Sequence, residues 1–445
     1  MSALRASRSP LSREADVKMV DVLVCGGGPA GVAAAATCGR AGLSTLLVEK
    51  NGFCGGGAVA GLSGTICGLY TADENAPQRL VQGFAEEFCV RLRRRGGLTE
   101  AQRYGKTLVH THDPLVWREV ADDLLEESGA GRLYHTMVAD VRKNGARIEG
   151  VNVFSSAGPA HISCKLVVDA TGDGVVAALA GCSFRCGNDG GVQYPTMMFR
   201  LCNVQIGQFL EYYGDDAICP EKMTDAIRKM NAAGAYVLPR DKVWIFPTPH
   251  PGVLLVNATR AGDGGAALNP LHPEDRTAAE VSGRRAVREF ARFMKEHVPG
   301  CGQSFVIDTG TEVGVRQTRS IDTCVVLSSD DVARCVKRKD GILKCAWPVE
   351  LHSGDKPKLH WLLDDYYELS YFSLVPKDMD NLLVAGRCIG AEHEALASVR
   401  VTAQCFEMGH AAGLAAALAL KEATPFRSID VEELRNRLGK DGSNI

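Results

Sequence analysis

The sequence contains no apolar run long enough to cross a bilayer: its longest stretches, such as AAGLAAALAL ending at Leu420, fall well short of about 18 residues. It also lacks a surplus of either charge. Lys and Arg total 50 against 53 Asp and Glu, a formal net charge of -3, so no overall field recruits nucleic acid or an anionic membrane surface. Cysteine is plentiful at 16 residues, yet no CxxC occurs and the closest pair, Cys182 and Cys186, has no partner pair, which argues against zinc and leaves no metal site to expect. The first eighteen residues, MSALRASRSPLSREADVK, are polar and basic without the apolar core of a secretory signal, and they read as a disordered lead-in. Without an export signal the expected compartment is the reducing cytoplasm, where scattered thiols serve as small buried hydrophobes.

The chain does have length and apolar content. Its 445 residues allow two or three domains or one large interrupted one, and 45% hydrophobic against 23% charged residues is enough for a sizeable core. Glycines cluster at Gly26 to Gly28, Gly55 to Gly57, Gly187 to Gly191 and Gly262 to Gly265, where backbone must turn tightly or approach a ligand. From Val20 to Val48 a strand, a glycine turn, an alanine-rich helix and a second strand open a doubly wound α/β unit. Leu133 to Val168 reads as a three-stranded antiparallel meander whose last strand feeds another glycine turn. Between 186 and 378 the text is mixed, and NLLVAGR near the end is a buried strand followed by a long helix containing Val399 to Ala419. The expected architecture is α/β: a Rossmann-like nucleotide domain, 19–185 and 379–425, interrupted by an α+β substrate domain, 186–378, and followed by a C-terminal tail, 426–445.

The segment VDVLVCGGGPAGVAAAATCGRAGLSTLLVEK places Gly26, Gly28 and Gly31 in GxGxxG spacing between an apolar strand and a small-residue helix. Gly26 makes the tight turn, Gly28 lets backbone approach a pyrophosphate, and Gly31 lets the helix pack on the sheet. Glu49, eighteen residues beyond Gly31, ends the second strand where a carboxylate can accept hydrogen bonds from ribose hydroxyls. NAD and FAD both present adenosine diphosphate to such a turn, so these residues alone leave the two open.

Four pieces in order decide further: VCGGGPAGVAAA with Glu49, NGFCGGGAVAGLSGTICGLY, VVDATGDG, and NLLVAGRCIGAEHEALASVRVTAQCFEMGHAAGLAAA. On these the chain resembles FAD-dependent oxidoreductases of the glutathione-reductase-like superfamily, in particular the broad bacterial group of FAD-dependent oxidoreductases, over nearly all of Val20 to Leu420. The resemblance implies FAD as cofactor. It implies contacts from Pro29 and Ala30 beside the first glycines, from Lys50 next to Glu49, from Gly56 and Gly57 beside the ribityl chain or ring, and from Val138 at the adenine. It further implies Ala170, Thr171, Gly172 and Asp173 against the dinucleotide, with Asp173 either a cofactor contact or a helix cap. Gly386, Arg387 and Ala391 follow the last strand, and Ser398, Val399 and Arg400 stand where the final helix aims its positive end at the flavin.

Only one dinucleotide turn is present, and Cys54 has no CxxxxC partner, so disulfide reduction through a separate NAD(P) domain is not expected. The flavin is then reduced by an organic substrate. His393, beside Glu394, is the candidate base, because histidine titrates near neutrality. Arg316 and Arg319 are candidates to hold a substrate carboxylate or steady negative charge. His352 and Tyr371 are weaker candidates for the pocket wall, and Cys54 is a small packed residue or a flavin attachment point. The expected activity is that of a dehydrogenase or oxidase passing hydride from a small polar substrate to flavin N5 and electrons to oxygen or another acceptor. An oxygen-activating enzyme reduced by NAD(P)H and a non-enzymatic redox sensor are the alternatives. Expected partners are the small-molecule substrate and the electron acceptor, with neither nucleic acid nor membrane, and homo-oligomerisation is common among such flavoproteins.

Overall fold

Strand β1 (Lys18–Cys25), helix α1 (Pro29–Arg40) and strand β2 (Thr45–Val48) open the computed structural model as a parallel unit, Val22 opposite Thr45 and Cys25 opposite Val48. The structure describes residues 18–188, 191–263, 266–352 and 358–445; of the expected lead-in, 1–18, residues 1–17 lie outside these, as do parts of two glycine clusters, while Lys18 begins β1. Pro29 sits in the first turn of α1, where its missing N–H costs nothing, and residues from Ala30 to Cys38 are buried. Helix α2 (Gly83–Arg94) precedes α3 (Pro114–Ser128). The Asp113 side chain caps α3 by accepting from the Leu115 and Val116 amides, and Gly129 ends it at φ 76°.

Strand β3 (Gly131–Leu133) adds in parallel to β2. Strands β4 (Met137–Asn144), β5 (Arg147–Ser155) and β6 (Gly158–Asp169) form the antiparallel meander that the alternating text predicts. The first half of β6 pairs with β5, while the run from Ile162 to Asp169 pairs in parallel with β1. One strand thus joins the meander to the parallel sheet.

A second core closes within residues 197–315. Strands β7 (Phe199–Cys202), β8 (Trp244–Pro247), β9 (Leu254–Asn257) and β10 (Phe305–Thr309) form an antiparallel sheet in the order β8-β9-β7-β10. Helix α4 (Pro273–His297) covers it with Phe290 and Phe293, beside Phe209 and Ile227. Within the expected insertion of 186–378, the second core takes only residues up to 315. Residues from 319 to 378 bury Ile321, Ile342, Leu343, Trp347, Tyr367 and Leu369 in the first core. Short strands carry an apolar face but no local sign of which core that face will join.

Strand β11 (Leu382–Val384) returns to pair in parallel with the end of β6, Leu382 opposite Val167. Helices α5 (His393–Val399), α6 (Thr402–Glu422) and α7 (Val431–Lys440) complete the first core. The expected single helix from Val399 is broken at Arg400 and Val401, so its long part begins at Thr402. The C-terminal segment is not a tail: α7 is capped by Asp430 and buries Leu434 and Leu438, the i, i+4 spacing of one helical face. Ser443 then donates to Glu407 Oε2 at 2.6 Å and Asn444 Nδ2 to the Leu80 carbonyl at 3.0 Å. The result is a mixed α/β fold with a parallel-strand sheet. Among the described residues no helix is long and apolar enough to cross a membrane, and no group of three or more His, Cys, Asp or Glu is arranged to hold a metal ion.

Candidate functional site

The carboxyl ends of β1, β6 and β11 converge at Cys25, Asp169 and Val384, and a cavity of about 270 Å³ begins there. Open parallel sheets bind ligands at this edge. Gly26 leaves β1 at φ 98°, and a Cβ on it would lie 2.5 Å from the Ala170 carbonyl oxygen. A Cβ on Gly31 would lie 1.8 Å from the Gly26 carbonyl oxygen, so Gly31 supports the turn from beneath without reaching the cavity wall. Gly28 differs. Nothing but the Gly56 Cα, at 3.9 Å, would meet its Cβ, and Gly28, Pro29, Ala30, Gly56 and Gly57 all line the cavity. Gly28 stands before the first residue of α1 with no side-chain cap, and the first turn holds no acidic residue, leaving its amides to an anion.

Glu49 is buried on the same wall, its Oε2 accepting from the Gly27 amide at 2.7 Å and its Oε1 from the Asn51 amide at 2.8 Å. Burial raises its pKa against those two donors. Lys50 and Arg276 both pair with Glu312, tying the second core to the first. In VVDATGDG, fully buried Asp169 accepts from Thr171 Oγ1 at 2.7 Å and from the Ala177 amide at 2.9 Å, which fixes the turn. Thr171 Oγ1 accepts from the Val175 amide, so Asp173 is not the helix cap. Instead Asp173 accepts from Arg387 Nη2 at 2.8 Å and Thr318 Oγ1 at 2.9 Å. Burial opposes its ionisation, but Arg387, Thr318 and Arg276 together outweigh that and lower its pKa. Ala170, Thr171, Gly172, Asp173, Gly386 and Arg387 all line the cavity.

Another part of the wall carries Tyr104, Asn257, Arg316, Trp347, Glu350, His352 and Arg400. Glu350 and His352 are two apart at a strand end and share one face, with Glu350 Oε1 and His352 Nε2 2.8 Å apart. Burial opposes ionisation of Glu350, yet His352, Arg316 and Tyr104 together pull its pKa down to about 2. Burial and Arg316 pull His352 down to about 3, so the pair is a carboxylate with a neutral imidazole at neutral pH. Arg316 Nη1 donates to the Tyr194 carbonyl at 2.7 Å and to Thr196 Oγ1, and burial drives its pKa down. Arg400 Nη2 donates to Gln193 Oε1 at 3.0 Å while its Nε has no partner among the described residues; burial lowers it to about 10. Helix α6 begins beside it, with no side-chain cap, and Val401, Thr402 and Cys405 complete the wall.

Several expected site residues lie off this wall. His393 stands half-buried in the first turn of α5, its Nδ1 without a partner among the described residues and its carbonyl accepting from Gln193 Nε2. The reason lies just upstream: Ser320 Oγ binds the Ile389 carbonyl at 2.8 Å and the Ala391 amide at 2.9 Å, drawing the loop and Ala391 onto the strand at 319–321. Glu394 is exposed. Arg319 donates to the Asp173 carbonyl at 2.9 Å and lies over the Phe184 ring, so it braces the glycine turn from behind. Val138 pairs with Val153 in the meander. Ser398 donates to the Trp347 carbonyl and accepts from Tyr367, Val399 is in the core, and the Tyr371 hydroxyl donates to the Phe426 carbonyl. Cys54 is buried beneath Gly27, receives the Tyr134 hydroxyl at 3.6 Å, and is pushed up to about 12 by burial.

The sequence reading had missed Glu350, Tyr104 and Arg240. Glu350 was legible, since it alternates with His352 in WPVELHSG at strand period. Arg240 carries no local signal. It lies behind Asn257, to which its Nη1 donates at 3.1 Å, and over Trp244 at 4.4 Å.

A family model described as FAD dependent oxidoreductase matches residues 21–438. Thiamine thiazole synthase of Aeropyrum pernix is 32% identical over 167 residues, 35% of this chain, and the match spans only 56% of that protein. Among solved structures, a geranylgeranyl bacteriochlorophyll reductase-like protein from Thermoplasma acidophilum superimposes with a TM-score of 0.51 at 15% identity, covering 95% of this chain and 83% of its own. A flavin-dependent brominase gives 0.51 at 13%, covering 95% and 84%. At such identities the two structures show the fold alone.

Proposed function

The chain belongs to the FAD dependent oxidoreductase family, and from that premise we propose a dehydrogenase or oxidase that takes hydride from a small polar organic substrate and passes electrons to oxygen or another acceptor. FAD is the cofactor, and when bound it supplies the two-electron acceptor. The cavity fits it on two observations: Gly28 leaves open space where a Cβ would stand, and the α1 amides are uncapped. In this reading Gly26, Gly28, Pro29 and Ala30 hold the diphosphate, Glu49 the ribose, and Gly56, Gly57, Ala170 to Asp173, Gly386 and Arg387 the length of the dinucleotide, as in a glutathione-reductase-type domain. Arg400 and the uncapped start of α6 present positive potential for the charge of the reduced cofactor.

The observation that carries the reading is the buried Glu350–His352 pair on the same wall as the glycine cradle. With Nε2 committed to Glu350, the Nδ1 of His352 takes the hydroxyl or amine proton of the substrate, and Glu350 stabilises the imidazolium. In this reading the base is His352 and not His393. Anaerobic addition of hydroxy acids, amino acids and sugars to the holoenzyme tests this. Bleaching of the flavin by one of them without NADPH supports the reading, whereas bleaching by NADPH alone replaces it with an oxygen-activating enzyme.

A further inference from the structure

The acids on the cavity wall are Glu49, Asp173, Glu312 and Glu350, and three of them are already engaged among the described residues. Glu49 accepts from two backbone amides, Asp173 from Arg387 and Thr318, and Glu312 from Lys50 and Arg276. Glu350, itself paired with His352, is the one carboxylate of the four that acts on three guanidiniums, those of Arg316, Arg240 and Arg400. Arg316 and Arg400 are on the wall, and Arg240 stands directly behind Asn257. Arg316 is 9% exposed and Arg240 5%, and the Nε and Nη2 of Arg240 have no partner among the described residues. Buried cations without counter-ions are costly, and a fold keeps them where a ligand supplies the missing charge.

We propose that the substrate carries a carboxylate, and that Arg316 grips it while Arg240 and Arg400 supply the remaining positive potential. This rests on the dehydrogenase reading above and narrows its substrate class to organic acids. Arg316 spends Nη1 on the Tyr194 carbonyl and Thr196, which locks the guanidinium plane and leaves its other edge for a paired contact with two carboxylate oxygens. Tyr104, Trp347 and Phe246 supply apolar walls around that contact, as ligand pockets require. The charge also reaches the base. Arg316 and Arg240 both suppress the proton affinity of His352, so a bound carboxylate, by offsetting them, readies the imidazole only when substrate is present.

The test is a binding measurement that needs no turnover. Benzoate and its neutral isostere benzamide are titrated separately into the oxidised holoenzyme, and the perturbation of the flavin absorption band is followed. The proposal expects benzoate to bind about tenfold tighter or more, the effect of one charge-assisted contact. It expects Arg316→Met to remove that preference and Arg316→Lys to keep part of it. Arg240→Met, behind the wall, serves as a second probe if Arg316→Met fails to retain FAD, and it too must weaken benzoate more than benzamide. Equal binding of the two compounds by the unaltered enzyme, or no perturbation by any simple carboxylate, overturns the proposal. Reduction by NADPH alone would overturn the dehydrogenase reading while leaving this preference to be scored on its own.

Discussion

Gly409 of α6 lies against Ala30 of α1 so closely that a Cβ on Gly409 would stand 2.0 Å from the Ala30 carbonyl oxygen. One turn further along, a Cβ on Gly413 would stand 2.6 Å from the Cβ of Thr37. Two small residues four apart let the helix backbones touch, and that contact holds the cofactor helix in place from its far side. Gly409→Ala should cost about 1–3 kcal/mol by overpacking, lowering the thermal midpoint by several degrees and reducing the FAD retained on purification. Differential scanning calorimetry with a flavin count checks both, and an unchanged midpoint would show that α1 can move aside.

Gly26→Ala should give a colourless protein. Its φ of 98° and the 2.5 Å approach to the Ala170 carbonyl leave no room for a side chain, so the turn that faces the diphosphate cannot form. The absorbance ratio of flavin to protein measures the loss.

His352→Gln should slow substrate-dependent flavin reduction by about 10²–10⁴-fold with little change in FAD content, because the side chain lies on the cavity wall and its pairing with Glu350 is local. His393→Gln should leave the same rate within a few-fold, since His393 lies off that wall. Stopped-flow reduction under anaerobic conditions separates the two. A large loss in His393→Gln with His352→Gln nearly unaffected would return the base to His393.

Acid should destabilise the fold through its buried neutral histidines. His112 is 2% exposed, has no partner on either ring nitrogen among the described residues, and is pulled from 6.5 to about 4 by burial. Its folded pKa lies below its unfolded one, so the unfolded chain binds the proton first. Stability falls as pH drops from about 6.5 towards 4, at up to about 1.4 kcal/mol per pH unit for each such group. His352, lowered in the same sense, extends the loss towards pH 3. Urea unfolding between pH 7 and 4.5 should show this slope, and His112→Phe should reduce it; an unchanged slope would mean that His112 gains a partner in solution.

Acid precipitation should release the yellow colour into the supernatant. Cys54 is off the cavity wall, buried beneath Gly27 with the Tyr134 hydroxyl on its sulfur, and its thiol is held far from ionisation. Colour remaining in the pellet would mean that a thiol on the wall, Cys67 or Cys405, carries the flavin.

Local rules sufficed for the parts of this protein whose chemistry is contiguous in the chain. The GxGxxG turn with Glu49, the meander and the VVDATGDG turn each depend on steric and hydrogen-bonding preferences within a few residues, and each has a residue type that no neighbour can replace. His352 is a candidate from the sequence, and Glu350 was within reach too, because strand alternation brings it to the side of His352. Tertiary structure alone decided the remainder. Arg316, Arg240, Arg400 and the Glu350–His352 pair come from segments up to 160 residues apart in the chain, and nothing in the text of any one segment says that their charges share one buried space. It likewise took the fold to turn His393 off the wall and Arg319 behind the glycine turn. Both outcomes follow from hydrogen bonds between distant segments: Ser320 holds the loop through the Ile389 carbonyl and the Ala391 amide, and Arg319 donates to the Asp173 carbonyl.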